Sequence, residues 1–126
     1  MNKITDIKKE RNAALVEAFH KVLKEAKSVD EAFEMLAGVE APKFYVSLER
    51  ARISVSRMVR AKWFPSHIAK LAMYEELTRR AMARWARGEK GYDCLEEIIN
   101  EPAPSFYLDK LTMKGIVYRE MRKRRR

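Results

Sequence analysis

The amino-acid sequence predicts an all-α protein of six helices, built as a tandem pseudo-repeat of two long–short–long three-helix units packed into one domain. Strong helix formers dominate the composition, whereas Gly and Pro number only four each. Apolar residues recur at helical spacing in several segments, and no alternation of period two is long enough to indicate a strand. A stretch that occurs twice in the chain predicts the repeat.

The repeated stretch is Ala-Pro-Lys-Phe-Tyr-Val-Ser at 41–47, which returns 62 positions later as Ala-Pro-Ser-Phe-Tyr-Leu-Asp at 103–109. The same offset aligns 31–60 with 93–122, and a match of this length indicates two copies of one unit, about 6–62 and 66–126. Proline ends the preceding helix in each copy, and the aromatic pair is expected to be buried as a structural clamp. The predicted clamp residues are Pro42, Phe44, Tyr45, Pro104, Phe106 and Tyr107.

The first copy begins with an amphipathic helix from about 6 to 26. Ser28 and Glu31 form a capping box before a short helix, and Gly38 is expected to end that helix in a left-handed conformation. Ser47 is the predicted N-cap of a third helix, about 48–62. On that helix Val59 is predicted to point inward and Ser54 to lie in an exposed row with arginines.

The second copy begins with Pro65 in the first turn of helix four, about 66–87, which carries a basic face of Arg79, Arg80, Arg84 and Arg87. Asp93 and Glu96 are expected to repeat the capping box, with Cys94 as a small packing position. Asp109 is the predicted cap of helix six, where Gly115 is a candidate for a close helix crossing.

Length and charge narrow the class of protein. The 126 residues, 47% of them hydrophobic, suffice for a single domain spanning 1–126. With 27 basic and 18 acidic residues the net charge is +9, which favours polyanionic partners, nucleic acid first and acidic proteins or anionic lipid after it. One cysteine excludes an internal disulfide. No apolar run indicates a signal peptide or a membrane span, so we expect a cytoplasmic protein without a membrane partner.

No constellation of catalytic residues can be assembled. His20 and His67 fall on different helices, and no phosphate-binding loop, dinucleotide fingerprint or metalloprotease motif is present. The adjacent pairs Glu75-Glu76 and Glu96-Glu97 point about 100° apart on a helix and cannot act as one dyad. We therefore expect no enzymatic activity, no cofactor and no metal.

An acidic short helix followed by a basic helix occurs in both copies, and this order resembles a helix-turn-helix, whose second helix enters the DNA major groove. The usual turn has three or four residues, whereas roughly nine or ten separate the two helices here. The alternative is that acidic and basic helices complement each other inside a bundle or between subunits. The arginines predicted to contact nucleic acid are Arg50, Arg57, Arg60, Arg119, Arg122, Arg124, Arg125 and Arg126.

The predicted partner is double-stranded DNA rather than RNA, since no sheet with exposed aromatics is expected. The charge pattern also permits a homodimer, or a helical protein-interaction or assembly module without a nucleic-acid role. The Pro-x-Phe-Tyr-(Val/Leu)-(Ser/Asp) stretch before an Arg-rich helix, within 41–60 and 103–122, resembles one in small uncharacterised proteins of Bacteroides-type bacteria. That resemblance implies no particular activity.

Overall fold

A computed structural model describes residues 4–125, with side chains from Asp6 onward. Within this range the chain forms six helices and no strand, which confirms the all-α prediction. The helices are α1 (Ile4–Leu23), α2 (Val29–Leu36), α3 (Leu48–Ala61), α4 (Ile68–Ala86), α5 (Leu95–Ile98) and α6 (Lys110–Arg124).

Side-chain caps begin three of the helices where the sequence predicts them. The Ser28 hydroxyl accepts from the Glu31 amide at 3.0 Å, and the Ser47 hydroxyl accepts from the Arg50 amide at 3.1 Å. The Asp109 carboxylate accepts from the amide three residues on at 2.7 Å. Each bond satisfies an amide that has no partner inside its helix. The predicted capping box at Asp93 is wrong, because α5 begins after Cys94 without a side-chain cap.

Three further predictions are also wrong, two at helix ends and one within α6. Pro65 precedes α4 instead of lying in its first turn, because His67 is the N-cap. Gly38 is not left-handed; that conformation instead ends α3, at Lys62 with φ 51°. A Cβ added at Gly115 would meet nothing within 4 Å, so no close helix crossing requires this glycine.

The helices group into two compact units that do not follow the order of the chain. Among the described residues, unit 1 contains 4–45 and 102–125, with α1, α2 and α6. Unit 2 is the continuous segment 46–101, with α3, α4 and α5. Each unit therefore takes its third helix from the other half of the sequence, so the compact units differ from the sequential units 6–62 and 66–126.

The core of unit 1 forms where α1, α2 and α6 pack together. Phe19 of α1 stacks on Phe33 of α2 with ring centroids 4.6 Å apart, and Tyr118 of α6 meets Phe33 edge-on at 5.8 Å. Phe33 is fully buried. Other buried side chains around this aromatic cluster are Leu15, Val16, Leu36, Met113, Ile116 and Val117.

The two copies of the repeated stretch meet in unit 1. Ala41 and Ala103 exchange both backbone hydrogen bonds, each 2.9 Å long, in an isolated antiparallel bridge. Phe44 stacks on Tyr107 and Tyr45 on Phe106, each pair with centroids 6.1 Å apart. Phe44 and Phe106 are buried, whereas Pro42 and Pro104 are exposed.

Unit 2 packs α3 against α4 and α5 and corrects the predicted orientation of α3. Ser54 is 3% exposed, although it was expected in the exposed row. Val59 is 42% exposed, although it was expected to face inward. The buried residues of α3 are Ala51, Ser54 and Val55, so the face that packs inward is narrower than predicted. Unit 2 is completed by buried Tyr74, Leu77, Ala81, Cys94, Leu95, Ile98 and Ile99.

Candidate nucleic-acid interface

The outer face of α3 is a basic stripe. Arg50, Arg57 and Arg60 are exposed and lie on one side of the helix, because residues separated by three or four positions are neighbours on a helix surface. Ile53, 40% exposed, lies among them. The buried Val55 lies on the opposite side of α3, so the arginines face outward. We call Arg50, Arg57 and Arg60 the α3 stripe.

Two aromatic residues follow the α3 stripe directly. The left-handed Lys62 turns the chain back, and the Trp63 amide donates to the Arg57 carbonyl at 3.3 Å. This places the Arg57 guanidinium 5.6 Å from the centre of the Trp63 ring, within the range of a cation–π contact. The next residue, Phe64, is 60% exposed. From the sequence, no functional role was predicted for Trp63 and Phe64.

The other predicted arginines belong to unit 1. Arg119 and Arg122 are exposed on α6, and Arg124 and Arg125 are exposed at its end. Arg126 lies outside the described residues. Each unit therefore has its own group of exposed arginines, three on α3 and four on α6 and its end.

Several other basic side chains are paired with the acidic short helices, as the alternative interpretation expects. Within unit 1, Lys110 lies 3.0 Å and Lys114 3.2 Å from Asp30 of α2. Hydrogen bonds from Lys110 and then Lys114 lower the pKa of Asp30, and the same contact with Asp30 raises the pKa of Lys110. Within unit 2, Arg52 lies 3.0 Å from Asp93 just before α5. Acidic and basic helices therefore do form ion pairs with each other, but only some of the basic side chains take part.

The predicted basic face of α4 is largely neutralised by carboxylates of unit 2. Glu76, 9% exposed, lies 2.6 Å from Arg79 and 2.8 Å from Arg80. Burial opposes the charge of Arg80, but its hydrogen bonds to Glu76 and Glu101 raise its pKa overall. Arg84 lies 3.0 Å from Glu97, with further carboxylates at 3.3 and 3.5 Å. These arginines are ion-paired within unit 2, so an anionic partner would have to displace those carboxylates.

The predicted arginines are different. Among residues 4–125, none of the seven that the structure describes lies within 4.0 Å of a carboxylate. The Arg57 guanidinium instead lies over the face of the Trp63 ring, and the face of an aromatic ring attracts cations. The described basic residues thus divide into ion-paired and unpaired ones, and the predicted set falls in the unpaired class.

Arg11 is a basic residue that sequence reasoning missed. It lies half-buried on α1, where its Nε and Nη2 donate to Asn12 Oδ1 at 3.2 and 3.0 Å. Burial, followed by the positive charge of Arg119, lowers the pKa of Arg11. Two guanidinium groups of unit 1 therefore repel each other across α1 and α6. No local sequence signal reveals this pair, because the two residues are brought together by helix packing.

No protein-family model, curated protein or solved structure matches this chain. Within residues 4–125, no helix combines the length and the apolar character needed to cross a bilayer. No group of three or more His, Cys, Asp or Glu side chains in the same range could hold a metal ion.

Proposed function

We propose that this protein binds nucleic acid, double-stranded DNA in particular, through the α3 stripe and through Arg119 and the basic run 122–126. The observation that carries the proposal is the separation of charge. Arg79, Arg80 and Arg84 of α4 and Lys110 and Lys114 of α6 are held by carboxylates, whereas the seven described arginines of the predicted set are not. We propose binding without catalysis, in the cytoplasm.

Arginine suits this role because its planar guanidinium donates two parallel hydrogen bonds to a phosphate or to a guanine edge. The α3 stripe is anchored by a capped and partly buried helix, so its three side chains would meet a ligand as a set. The basic run at the end of α6 would add phosphate contacts that carry no sequence information.

Fluorescence anisotropy with a labelled duplex of about 20 base pairs tests the proposal. Each phosphate contact contributes about −0.9 to the slope of log K against log salt, so the α3 stripe alone should contribute about −2.7. We expect tight binding at 50 mM salt and a steep loss as salt rises. If the full chain retains no duplex at 50 mM salt, the proposal is refuted.

We also propose that the two halves of the sequence are copies of one unit that have exchanged their third helices. The clamp supports this, because Ala41 bonds to Ala103, its counterpart at the 62-residue offset. The stacked pairs are reciprocal in the same way, Phe44 with Tyr107 and Tyr45 with Phe106. Equivalent positions should then have equivalent costs, so Phe44→Ala and Phe106→Ala should lower the free energy of unfolding by similar amounts in urea titrations. Each substitution should cost about 3–5 kcal/mol, the usual range for a buried Phe→Ala change. Two costs that differ by more than about 2 kcal/mol would contradict the equivalence.

A second candidate function is a helical assembly module, including a homodimer, and exposed apolar side chains favour it. On α6, Leu111 is 80% and Tyr118 47% exposed, on the same outer side as Arg122. Sedimentation equilibrium discriminates the two functions. A stable dimer that retains no DNA at low salt would support assembly, whereas a monomer that binds DNA would support the leading proposal.

A further inference from the structure

We propose that Trp63 and Phe64 form a stacking platform for unpaired nucleobases, so that the preferred ligand contains a short single-stranded segment beside a duplex. This inference rests on the proposed function and specifies its substrate class. Base–aromatic stacking is sequence-tolerant, because every base has a π-face.

The exposure of Phe64 is the first observation. Its side chain is 60% exposed, although a Phe ring gains about 1.5–3 kcal/mol when fully buried. The residue follows the left-handed Lys62, a conformation that turns the chain sharply at the end of α3. The ring therefore lies on the surface of unit 2, directly beyond a basic helix.

The second observation is that Trp63 is already arranged as a platform. Its ring lies within 5.6 Å of the Arg57 guanidinium, and its amide is fixed by the Arg57 carbonyl. An arginine plane over an aromatic ring is itself a surface on which bases stack. Trp63 and Phe64 directly follow Lys62, the C-cap of α3, so both rings lie close to the α3 stripe in sequence.

The positive charges around Trp63 and Phe64 indicate which kind of ligand would bind there. Among the described residues, Arg57, Arg60 and Lys62 form no ion pair, and all three lie within seven positions of Phe64. A purely apolar partner would leave these charges unneutralised, and an acidic peptide would neutralise them without needing exposed aromatic rings. A nucleic-acid strand with unpaired bases supplies both an anionic backbone and flat rings.

The test compares two DNAs that differ only in pairing: a duplex of about 20 base pairs, and the same duplex with a four-base central bubble containing 2-aminopurine. The full chain is assayed as wild type, as Phe64→Ala and as Ile68→Ala. Ile68 is a matched control, because it is 83% exposed, apolar and in the same unit. Thermal melts should show all three proteins equally folded, since both side chains are exposed.

Stacking of one base contributes about 1–3 kcal/mol, which corresponds to roughly a 5- to 150-fold change in affinity. We expect wild type and Ile68→Ala to prefer the bubble by at least about fivefold and to quench 2-aminopurine. Phe64→Ala should lose that preference and the quenching, while its affinity for the paired duplex changes less than about twofold.

Two results would overturn the inference while the proposed function stands: equal binding of both DNAs by wild type, or an equal loss on both DNAs in Phe64→Ala. If wild type binds neither DNA at 50 mM salt, the proposed function fails and the inference fails with it.

Discussion

The α3 stripe allows a prediction that separates specific geometry from bulk charge. The perturbation is the triple variant Arg50→Gln, Arg57→Gln and Arg60→Gln. Glutamine forms helices about as well as arginine, and all three side chains are exposed, so α3 should remain folded. Circular dichroism and a thermal melt verify this before any binding is measured.

The magnitude follows from the number of contacts. Removing three phosphate contacts should reduce the slope of log K against log salt by about 2.7. Between 50 and 200 mM salt the wild type should therefore lose about 40-fold more affinity than the variant. Anisotropy of a labelled duplex at five or six salt concentrations gives both slopes.

A matched control removes the same charge elsewhere in unit 2, through Lys70→Gln, Arg87→Gln and Lys90→Gln. These residues are exposed and form no ion pair within the described part of the chain. Both triple variants lower the net charge of +9 by three. If the control reduces the salt slope as much as the α3 variant does, binding depends on net charge alone and the argument from the stripe is refuted.

Three further predictions concern unit 1. Phe33→Ala should lower the free energy of unfolding by about 3–5 kcal/mol in urea titration, because the ring is fully buried and stacked; a loss under 1 kcal/mol would contradict the described core. Hydrogen bonds from α6 hold the pKa of Asp30 below its usual value, so the stability that this carboxylate contributes is present above its unfolded-state pKa and lost as pH falls through its folded-state pKa. Asp30→Asn should therefore flatten the acid side of a melting-temperature profile, and an unchanged profile would exclude this linkage. Arg11→Gln should raise the melting temperature by about 1–2 °C by relieving burial and repulsion from Arg119; a lower melting temperature would show that Arg11 stabilises the fold.

Local features of the fold were predictable because their causes are local. The Ser28, Ser47 and Asp109 caps depend on a bond to an amide three residues away, and all three are present. The packing of α3 could not be predicted from its neighbours in sequence, because its contacts with α4 and α5 form only in the tertiary structure. The same reason explains Ser54, a small polar residue that became buried where α3 approaches the rest of unit 2.

The candidate arginines could be identified from the local charge pattern of the sequence. Which of the basic residues form ion pairs with carboxylates could not be predicted in this way. Lys114 and Asp30 are 84 residues apart in sequence, and only the fold brings their charged groups within 3.2 Å. The pairing of Arg80 with Glu101 is likewise a property of tertiary structure. Phe64 had a sequence signal, an aromatic pair beside a basic helix, but its exposure depends on how α3 ends.

The division of the helices between the two units has a consequence for the order in which the protein is made. Unit 2 is continuous, so every helix that it needs has been synthesised once residue 101 has left the ribosome. Unit 1 must keep α1 and α2 without their third helix until α6 emerges, some 74 residues after α2 ends at Leu36. Because domains fold as units during synthesis, the central segment should fold before the segments that flank it. A nascent chain stalled before α6 would expose the apolar faces of α1 and α2, which makes this the stage most prone to aggregation.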